Sequence, residues 1–322
     1  MNPIRRSLRP PPPSAAFSEK GCFVWCGSLV RHTDGWYYLV YSRWPEAKGF
    51  QAWVTDSEVA VARGRDLFGV FEPTGVCLGK KTGGWDADVI HNPAVLAVNG
   101  KYYLYYMGTR GPGEWWDYRN RQRIGLAVAE HPLGPWRRLE KPVIDVTEGS
   151  WDGLMASNPS ACVGPDGRIY LLYKGVADGV RPKGGKVLAG MAVADRPEGP
   201  FEKWGPVVEN PENDWAVEDG FIWSEGGRFF ALMKDFQGYF TKAREHSTAL
   251  FVSENGKKWL PHKDPLVLDR KFFFEDGTSV DATFLERPQI YFENGKARAL
   301  LLACRPGPGS GTYNVRLPME MD

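Results

Sequence analysis

The 322-residue sequence lacks any long apolar segment. A helix that spans a membrane needs about 18 or more consecutive apolar residues, and no run approaches that length. An excess of charge of one sign is also missing, because 40 Lys and Arg residues balance 39 Asp and Glu residues and leave a formal net charge of +1. Nucleic-acid partners require a basic face. We therefore expect a protein that binds neither membranes nor nucleic acids.

Cysteines are scarce and odd in number, which makes a disulfide framework a poor interpretation. The five are Cys22, Cys26, Cys77, Cys162 and Cys304. We expect them to be small buried apolar side chains. Residues 1–14 are rich in Arg and Pro and lack the apolar segment of a secretory signal. We expect a flexible N-terminal arm over residues 1–18 and a cytoplasmic protein, or a secreted one if a leader was removed.

A long repeat is what the sequence does contain. Asn-Pro begins a short apolar run at residues 92–95 and again at 158–161, and the two copies lie 66 residues apart. Each run leads to a turn glycine and then to an alternating aromatic and aliphatic run. The turn glycines of all five copies are Gly35, Gly100, Gly167, Gly227 and Gly295. A period of this length indicates stacked supersecondary units.

Each copy of the repeat predicts a four-stranded unit. The Asn-Gly, Asp-Gly and Gly-Gly pairs before the second run favour tight hairpin turns. A third apolar run follows, as at residues 124–129 and 189–194, and a short outer strand ends near Ile144, Val208 and Leu268. We therefore predict an all-β fold, a five-bladed β-propeller with four-stranded antiparallel blades around a central channel. Residues 19–322 would form this single domain.

Carboxylates occupy the predicted starts of most first strands, which line the channel of a propeller. The candidates are Asp86, Asp88, Asp152, Glu218, Asp219 and Glu286. Carboxylates that converge in a channel repel one another and lose water, and both effects raise the pKa of some of them. One protonated carboxyl beside one ionised carboxylate is the requirement for cleavage of a glycosidic bond.

Several of these residues also have a structural interpretation. Trp85-Asp86 and Trp151-Asp152 are matched pairs 66 residues apart, as expected of a structural turn. Glu286 and Arg287 are adjacent and could form an internal ion pair. Glu218 and Asp219 replace neutral residues of the repeat beside an apolar run, where buried charge is costly unless it is paired or used.

Other polar and aromatic residues are expected around the same openings. His91 occupies the aligned position of Glu218 and Glu286, and a proton donor, a substrate contact and an ion ligand all remain open for it. Cations end the second strands, where they would bind sugar hydroxyls or an acidic sugar, or else be solvated. These cations are Arg43, Lys174, Lys234 and Arg305. Trp44 and Trp223 would stack on sugar faces.

The Asn-Pro starts, the aromatic hairpins such as residues 99–106, and the Pro-x-Gly-Pro turns such as residues 132–136 resemble the five-bladed propeller glycoside hydrolases of families 43 and 117. The resemblance covers roughly residues 20–317. Family 43 implies inversion, with an aspartate base, an aspartate that tunes the acid, and a glutamate acid on successive blades. Family 117 implies a histidine acid. Blade 1 has Cys26-Gly27-Ser28 where family 43 has its base.

An Asp–Asp–Glu order does occur one blade later, as Asp88 or Asp86, then Asp152, then Glu218. We therefore expect an exo-acting, inverting glycoside hydrolase on a small oligosaccharide, with Glu218 as acid, Asp88 as base and Asp152 tuning the acid. Asp219, Glu286 and His91 are the reserve candidates. No cofactor is required, although the resemblance allows a Ca²⁺ or Na⁺ ion in the channel.

Two alternatives stay open. One is a carbohydrate-binding propeller without catalysis, and the other is a sugar-transferring or phosphorolytic relative. We expect a monomer or a homodimer.

Overall fold

The computed structural model describes residues 1–320. It contains five four-stranded antiparallel sheets and one separate hairpin. The predicted five-bladed β-propeller is confirmed. The last two residues of the predicted domain, 321 and 322, lie outside the described residues.

The strands follow one another in sequence order, one blade after the next. A two-residue strand, β1 (Ala16–Phe17), comes first. Blade 1 consists of β2 (Cys22–Arg31), β3 (Tyr37–Pro45), β4 (Glu58–Gly64) and β5 (Glu72–Leu78). Blade 2 consists of β6 (Val89–Val98), β7 (Lys101–Thr109), β8 (Arg123–Ala129) and β9 (Arg137–Arg138). Blade 3 consists of β10 (Met155–Val163), β11 (Ile169–Val176), β12 (Val187–Ala194) and β13 (Glu202–Val208).

Blades 4 and 5 complete the ring. Blade 4 consists of β14 (Val217–Glu225), β15 (Arg228–Asp235), β16 (Ser247–Ser253) and β17 (Leu260–Leu268). A hairpin of β18 (Lys271–Phe273) and β19 (Ser279–Asp281) then precedes blade 5. Blade 5 contains β20 (Phe284–Glu293), β21 (Lys296–Arg305) and β22 (Tyr313–Pro318). The outer strand of blade 2 has only two residues, and a single bridge between Ile124 and Ile144 extends this edge.

Short helices occupy the N-terminal arm and two of the loops. Helix α1 (Pro3–Ser7) lies in the N-terminal arm, α2 (Trp53–Asp56) lies between β3 and β4, and α3 (Trp115–Asn120) lies between β7 and β8. Single 3₁₀ turns form at Pro13–Ala15, Glu46–Lys48 and Phe50–Ala52. A bilayer-spanning helix is absent from residues 1–320, where the longest helix has six residues.

The core consists of layers between neighbouring blades. Five clusters of buried apolar residues each join two adjacent blades, so that every blade packs on both sides. The alternating aromatic runs supply much of this surface, and Tyr41, Tyr105 and Tyr106 are fully buried. Such packing arises because a twisted four-stranded sheet has two apolar faces to cover.

A bulge recurs at one position of every inner strand. The register between the first and second strands shifts there in all five blades. In each case the bulged residue has a positive φ of 52–56°. The five residues are Cys26, Asn92, Asn158, Asp219 and Arg287. A bulge re-aims the side chains around it, and here it turns one side chain per blade toward the channel axis.

The N-terminus closes the propeller. Strand β1 pairs antiparallel with β22 and supplies the fourth strand of blade 5. Before it, Asn2 donates hydrogen bonds to the carbonyls of Asp264 and Leu266 on blade 4, both at 2.8 Å, and Ile4 is buried in the core. The arm of residues 1–18, which we expected to be flexible, thus lies packed against blades 4 and 5.

Candidate functional site

A cavity of about 130 Å³ lies at the end of the channel where the inner strands begin. Aromatic side chains form one side, and charged and amide side chains form the rest. It is lined by Trp25, Trp44, Phe50, Trp53, His91, Asn92, Asn158, Lys174, Glu218, Asp219, Glu286 and Arg287. The cavity thus joins residues from all five blades.

The repeat explains which side chains reach this cavity. The residue directly before each bulge points into it in four blades, as Trp25, His91, Glu218 and Glu286. In blade 3 the same position holds Ser157, which hydrogen-bonds Asn158 at 2.7 Å. The prediction that His91 shares the orientation of Glu218 and Glu286 is confirmed.

An ion-pair network holds the acidic side of the cavity. The ammonium group of Lys234, itself 3% exposed as a residue, donates to Glu218 and to Glu286, the latter at 2.8 Å. Lys174 donates to the other oxygen of Glu218 at 2.9 Å. Asp219 lies 3.5 Å from Lys234 and 3.3 Å from Arg287. Three carboxylates and three cations therefore share one desolvated region.

The two lysines keep Glu218 ionised. Burial alone would raise the pKa of Glu218, but the ammonium groups of Lys174 and Lys234 outweigh it and hold that pKa far below the ordinary range. Burial likewise opposes the charge of Lys234, yet Glu218, Glu286 and Asp219 raise the pKa of this lysine well above its usual value. Glu218 is therefore an anion, which does not suit the general-acid role that the sequence suggested.

Glu286 has the opposite electrostatic environment. Burial raises its pKa, and although Lys234 opposes this, the neighbouring charges of Asp219 and Glu218 add to the rise. A buried carboxyl with a raised pKa retains its proton at a pH where Glu218 has lost its own. The electrostatic environment therefore makes Glu286, a reserve candidate, better suited than Glu218 to carry a proton.

His91 is neutral and sits between aromatic rings. Burial lowers its pKa well below the ordinary value, and the positive charges of Arg287 and Lys174 lower it further. Its Nδ1 atom lies 2.7 Å from the Ser57 hydroxyl, and its ring centre is 5.1 Å from that of Trp53. Its Nε2 atom lies 3.8 Å from the Cys26 sulfur, so both ring nitrogens face protein atoms.

The five bulged residues form a ring around the channel axis at the floor of the cavity, and four hydrogen bonds join them in a chain. The thiol of Cys26 donates to Asn92 at 2.9 Å, and Asn92 donates to Asn158 at 2.6 Å. Asn158 donates to Asp219 at 2.6 Å, and Arg287 donates to the same Asp219 oxygen. These residues do not suit a Ca²⁺ or Na⁺ ion on the channel axis, because a buried guanidinium already supplies the positive charge and the oxygen ligands are bonded to one another.

The aromatic wall carries two unpaired donors. Trp44 is 1% exposed, and its Nε1 atom has no hydrogen-bond partner within residues 1–320. The guanidinium of Arg305 lies 4.4 Å from the centre of the Phe50 ring, and Phe50 stacks on Phe284. In the described part of the chain, the buried Nε of Arg305 also lacks an acceptor. Both expected substrate contacts are therefore near the cavity.

Asp88 and Asp152 are not brought to this cavity. Asp88 accepts a hydrogen bond from the backbone of Gly111 at 3.1 Å, at the base of the α3 loop. Asp152 is fully buried, accepts a hydrogen bond from the Tyr173 hydroxyl at 2.9 Å and pairs with Lys203 at 2.6 Å. The geometry therefore gives neither the base role to Asp88 nor the tuning role to Asp152.

Asp86 repeats the arrangement of Asp152 one blade earlier. It accepts a hydrogen bond from the Tyr106 hydroxyl at 2.7 Å and pairs with Lys81 at 2.6 Å. The matched Trp-Asp pairs are thus structural turns that anchor the second strand of blades 2 and 3, as the alternative interpretation held.

Two predicted substrate contacts lie elsewhere. Arg43 is held by Glu19 and Glu58 and does not line the cavity. Trp223 lines a wide funnel of about 620 Å³ at the opposite end of the channel, where it stacks between Phe221 and Phe230. Trp223 follows Asp219 by four residues on the same inner strand, and an extended strand of that length carries the backbone along the channel. The Trp223 side chain therefore lies at the end opposite the cavity.

Sequence reasoning missed several residues of the cavity. Trp25 occupies the same aligned position as His91 and Glu218, so the repeat itself could have identified it. Phe50 lies in an irregular loop that no repeat describes. The sequence allowed an ion pair of Arg287 with Glu286, whereas Arg287 pairs with Asp219.

A separate group of residues of the types that can bind a metal ion lies in turns of blades 1 and 2. The ligand atoms of His32, Asp34 and His131 all lie within 4.8 Å of one another. However, Nδ1 of His131 accepts a hydrogen bond from the backbone of Leu133 at 3.1 Å. This bond leaves the proton of the neutral ring on Nε2, which faces Asp34. The group is thereby arranged as a hydrogen-bond network instead of a metal centre.

Comparisons with known proteins identify the architecture. No family model matches the chain, and no curated protein matches its sequence. Among solved structures, Zg3597, a family 117 glycoside hydrolase from the marine bacterium Zobellia galactanivorans, superposes with a TM-score of 0.67 at 20% identity, over 98% of this chain and 90% of that one. A thermostable family-43 glycoside hydrolase gives a TM-score of 0.66 at 15% identity, over 97% and 91%. The chain has the fold of the five-bladed propeller glycoside hydrolases.

A further structure with this fold is a complex of BT0996 with RGII, which superposes with a TM-score of 0.73 at 15% identity, over 97% of this chain and 93% of that one. The similarity extends over the whole propeller in all three cases. At these identities the likeness defines the fold, and the chemistry has to be argued from the cavity.

Proposed function

We propose that this chain is a glycoside hydrolase that holds the terminal sugar of an oligosaccharide in the channel cavity. The observation that carries the proposal is the contrast between Glu286 and Glu218. Glu286 has a raised pKa and Glu218 a lowered one, although both contact Lys234 in the same aromatic-walled cavity. A protonated carboxyl beside an ionised one is the pairing that hydrolysis of a glycosidic bond uses.

The size of the cavity supports action at a chain end. Its volume of about 130 Å³ is well below the roughly 300–1,000 Å³ of sites that enclose drug-sized ligands. The ring of five bulged side chains lies across the channel at its floor. One sugar ring would therefore enter from the open side, with the rest of the oligosaccharide outside.

Glu286 would donate its proton to the leaving glycosidic oxygen. Glu218 would attack the anomeric carbon as this bond breaks and would form a covalent glycosyl ester. Water, deprotonated by the Glu286 carboxylate, would then displace Glu218 from the sugar and leave Glu286 protonated again. Because one ammonium group bonds an oxygen of each, those two oxygens lie no more than roughly 5.5 Å apart. Retaining glycosidases have carboxyl groups about 5–5.5 Å apart and inverting ones about 6.5–9.5 Å. For this pair, the separation favours retention over the inversion that the family 43 resemblance implied.

A carbohydrate-binding propeller without catalysis is the second candidate, and the ion pairs favour it. Each of the three cavity carboxylates carries a cation: Glu218 and Glu286 share Lys234, and Asp219 pairs with Arg287. A carboxylate that already accepts a strong charge-assisted hydrogen bond from a cation is less available to act as a nucleophile.

Hydrolysis of aryl glycosides and of plant and marine oligosaccharides would test both candidates. The enzymes to compare are the wild type, Glu286→Gln, Glu218→Gln and the control Glu225→Gln, which alters an exposed carboxylate at the far end of the same strand as Glu218. We expect Glu286→Gln to lower kcat by about 10²–10⁴-fold on substrates with poor leaving groups. The control should retain full activity.

The outcomes separate the assignments. Full activity in Glu286→Gln, together with loss in Glu218→Gln, would return the acid role to Glu218. Saturable binding of a sugar by calorimetry without turnover of any substrate would make the binding propeller the correct function.

A further inference from the structure

A cleft of about 790 Å³ lies over blade 2, apart from the channel cavity. Its walls come from the loop before β6, from both ends of the α3 loop and from the outer edge of the blade. The side chains that define it are Trp85, Arg110, Arg121, Arg123 and Asp145. None of its lining residues lines the channel cavity.

The β7–β8 hairpin brings the arginines together. Gly108 pairs with Arg123 in this antiparallel ladder, and the loop that contains α3 leaves from just beyond that pair. Arg110 and Arg121 therefore stand at facing positions on the two ends of one loop. Both are exposed and both line the cleft.

Only one of the three guanidinium groups is neutralised. Arg123 donates to Asp145 at 2.6 Å and to the carbonyl of Gln122 at 2.8 Å. Asp145 is the sole carboxylate among the cleft-lining residues. Within residues 1–320, the side chains of Arg110 and Arg121 form neither an ion pair nor a hydrogen bond to the protein. Two like charges thus face a common space without a counter-ion from the protein.

Trp85 gives the cleft a firm apolar wall. Its indole is parallel to the Tyr106 ring, with ring centres 6.2 Å apart, and it packs against Gly108, which would clash with it if it carried a Cβ atom. Sugar rings combine an apolar face with polar edges, so an aromatic wall beside free donors suits a glycan better than a simple anion.

We propose that this cleft is a second binding site, for an oligosaccharide that carries carboxylate or sulfate groups. Guanidinium groups bind such oxyanions in a bidentate manner, and Arg110 and Arg121 supply two of them beside the wall of Trp85. The site shares no residue with the channel cavity, so the inference stands apart from the proposed hydrolysis.

Isothermal titration calorimetry on the full chain tests the proposal with three probes: tri-galacturonate, a sulfated galactotriose and unmodified galactotriose. The variant is the double substitution Arg110→Gln and Arg121→Gln. Its control is Arg137→Gln, which removes an exposed arginine of the same blade that does not line the cleft. Circular dichroism checks that each variant is folded, as expected for exposed positions.

We expect at least one anionic probe to bind the wild type, with an affinity that falls as NaCl is raised. The double variant should bind that probe at least about tenfold more weakly, whereas Arg137→Gln and Glu286→Gln should bind within about twofold of the wild type. Comparison of the two anionic probes distinguishes carboxylate from sulfate as the recognised group.

Three results would overturn the proposal. The first is no binding of either anionic probe. The second is unmodified galactotriose binding as tightly as the charged probes, which would remove the role of the arginines. The third is an equal loss in the double variant and in Arg137→Gln, because it would indicate a diffuse charge effect.

Discussion

Glu218 and Glu286 are chemically identical and lie beside the same lysine, yet their pKa values move in opposite directions. Glu218 receives two ammonium groups, and Glu286 receives one while facing two other carboxylates. The count of nearby charges therefore decides the protonation state at equal burial. The sequence contains both residues, but it does not contain this count, because Lys174 and Lys234 come from other strands.

The pH dependence of activity should follow from this contrast. Glu218 must be ionised, and since its pKa is lowered, activity should persist to a pH well below the ordinary glutamate value of about 4.3. Glu286 must be protonated, and since its pKa is raised, activity should be lost only as pH rises through that higher value. The pH profile of kcat/KM measures both limits.

An NMR titration of ¹³Cδ-labelled glutamate provides an independent check on Glu286. Its pKa should fall in Glu218→Gln, because one of the negative charges that raise it is removed. The control Glu225→Gln should leave the pKa unchanged. A Glu286 resonance that titrates at or below the ordinary glutamate value in the wild type would contradict the assignment.

Lys234→Met should be strongly destabilising. The substitution leaves Glu218, Glu286 and Asp219 buried together without their shared cation. Removing one partner of a buried ion pair costs about 3–5 kcal/mol. Urea denaturation measures the loss, and the exposed Lys101→Met serves as control, with an expected change within about 0.5 kcal/mol. A loss of similar size in both variants would show that the network does not stabilise the fold.

At the scale of single elements, the inner strands combine a repeat with an exception. Every inner strand has its bulge at the same position of the repeat. In the sequence, Asn92 and Asn158 are the two bulge residues of the same type. The other three positions hold Cys26, Asp219 and Arg287, which share no residue type with the asparagines. Sequence comparison within the chain therefore aligns the strands, while the hydrogen bonds among these five side chains can be identified only from the folded structure.

Two substitutions of Asn92, one of the five bulged residues, separate the contribution of backbone strain to stability from that of hydrogen bonding. Asn92→Gly keeps a residue that tolerates the positive φ but loses the bonds to Cys26 and Asn158. Asn92→Ala loses the same bonds and adds the cost of a left-handed alanine, about 1 kcal/mol or more. Urea denaturation should therefore rank the stabilities as wild type, then glycine, then alanine.

Asn99 is the matched control for this pair. It also has a positive φ, of 50°, but lies exposed in a hairpin turn outside the ring. Asn99→Gly should change stability little, because glycine suits the turn and no ring bond is lost. Equal stabilities of the two Asn92 variants would mean that the φ angle carries no strain.

The acidic residues show which roles the repeat could predict and which it could not. Asp86 and Asp152 obey the repeat and are structural, each bonded to a tyrosine of the second strand. Glu218, Asp219 and Glu286 break the repeat and lie at the cavity. Asp88 also breaks the repeat, but it precedes its strand, and the α3 loop draws it to Gly111. Position relative to the bulge thus separates these residues better than departure from the repeat does.

At the scale of the whole molecule, the sequence predicted five successive blades, because the repeat alone gives their number and their order. The way the ring closes was not predicted, because the closing strand is two residues long and sits outside the repeat. Strand β1 lies between a proline run and blade 1, and its two residues are too few to show an alternating apolar pattern. Its partner, β22, is more than 290 residues away in the sequence, so only the folded structure identifies the pair.

Closure by the N-terminus predicts a graded effect of truncation. Removing residues 1–9 would take away α1 and its contacts with blade 4 but leave β1 in place. Removing residues 1–17 would also strip β22 of its partner, open an edge in blade 5, and remove Phe17, which is 2% exposed in the layer between blades 5 and 1. Burial of a phenylalanine alone contributes about 1.5–3 kcal/mol, and each kcal/mol shifts the Tm of a domain of 322 residues by about 1.5 °C. Scanning calorimetry should therefore show a small fall in Tm for the shorter truncation and a further fall of at least about 2 °C for the longer one. Equal Tm values for the two truncated proteins would mean that β1 does not hold the propeller closed, and that the packing between blades suffices.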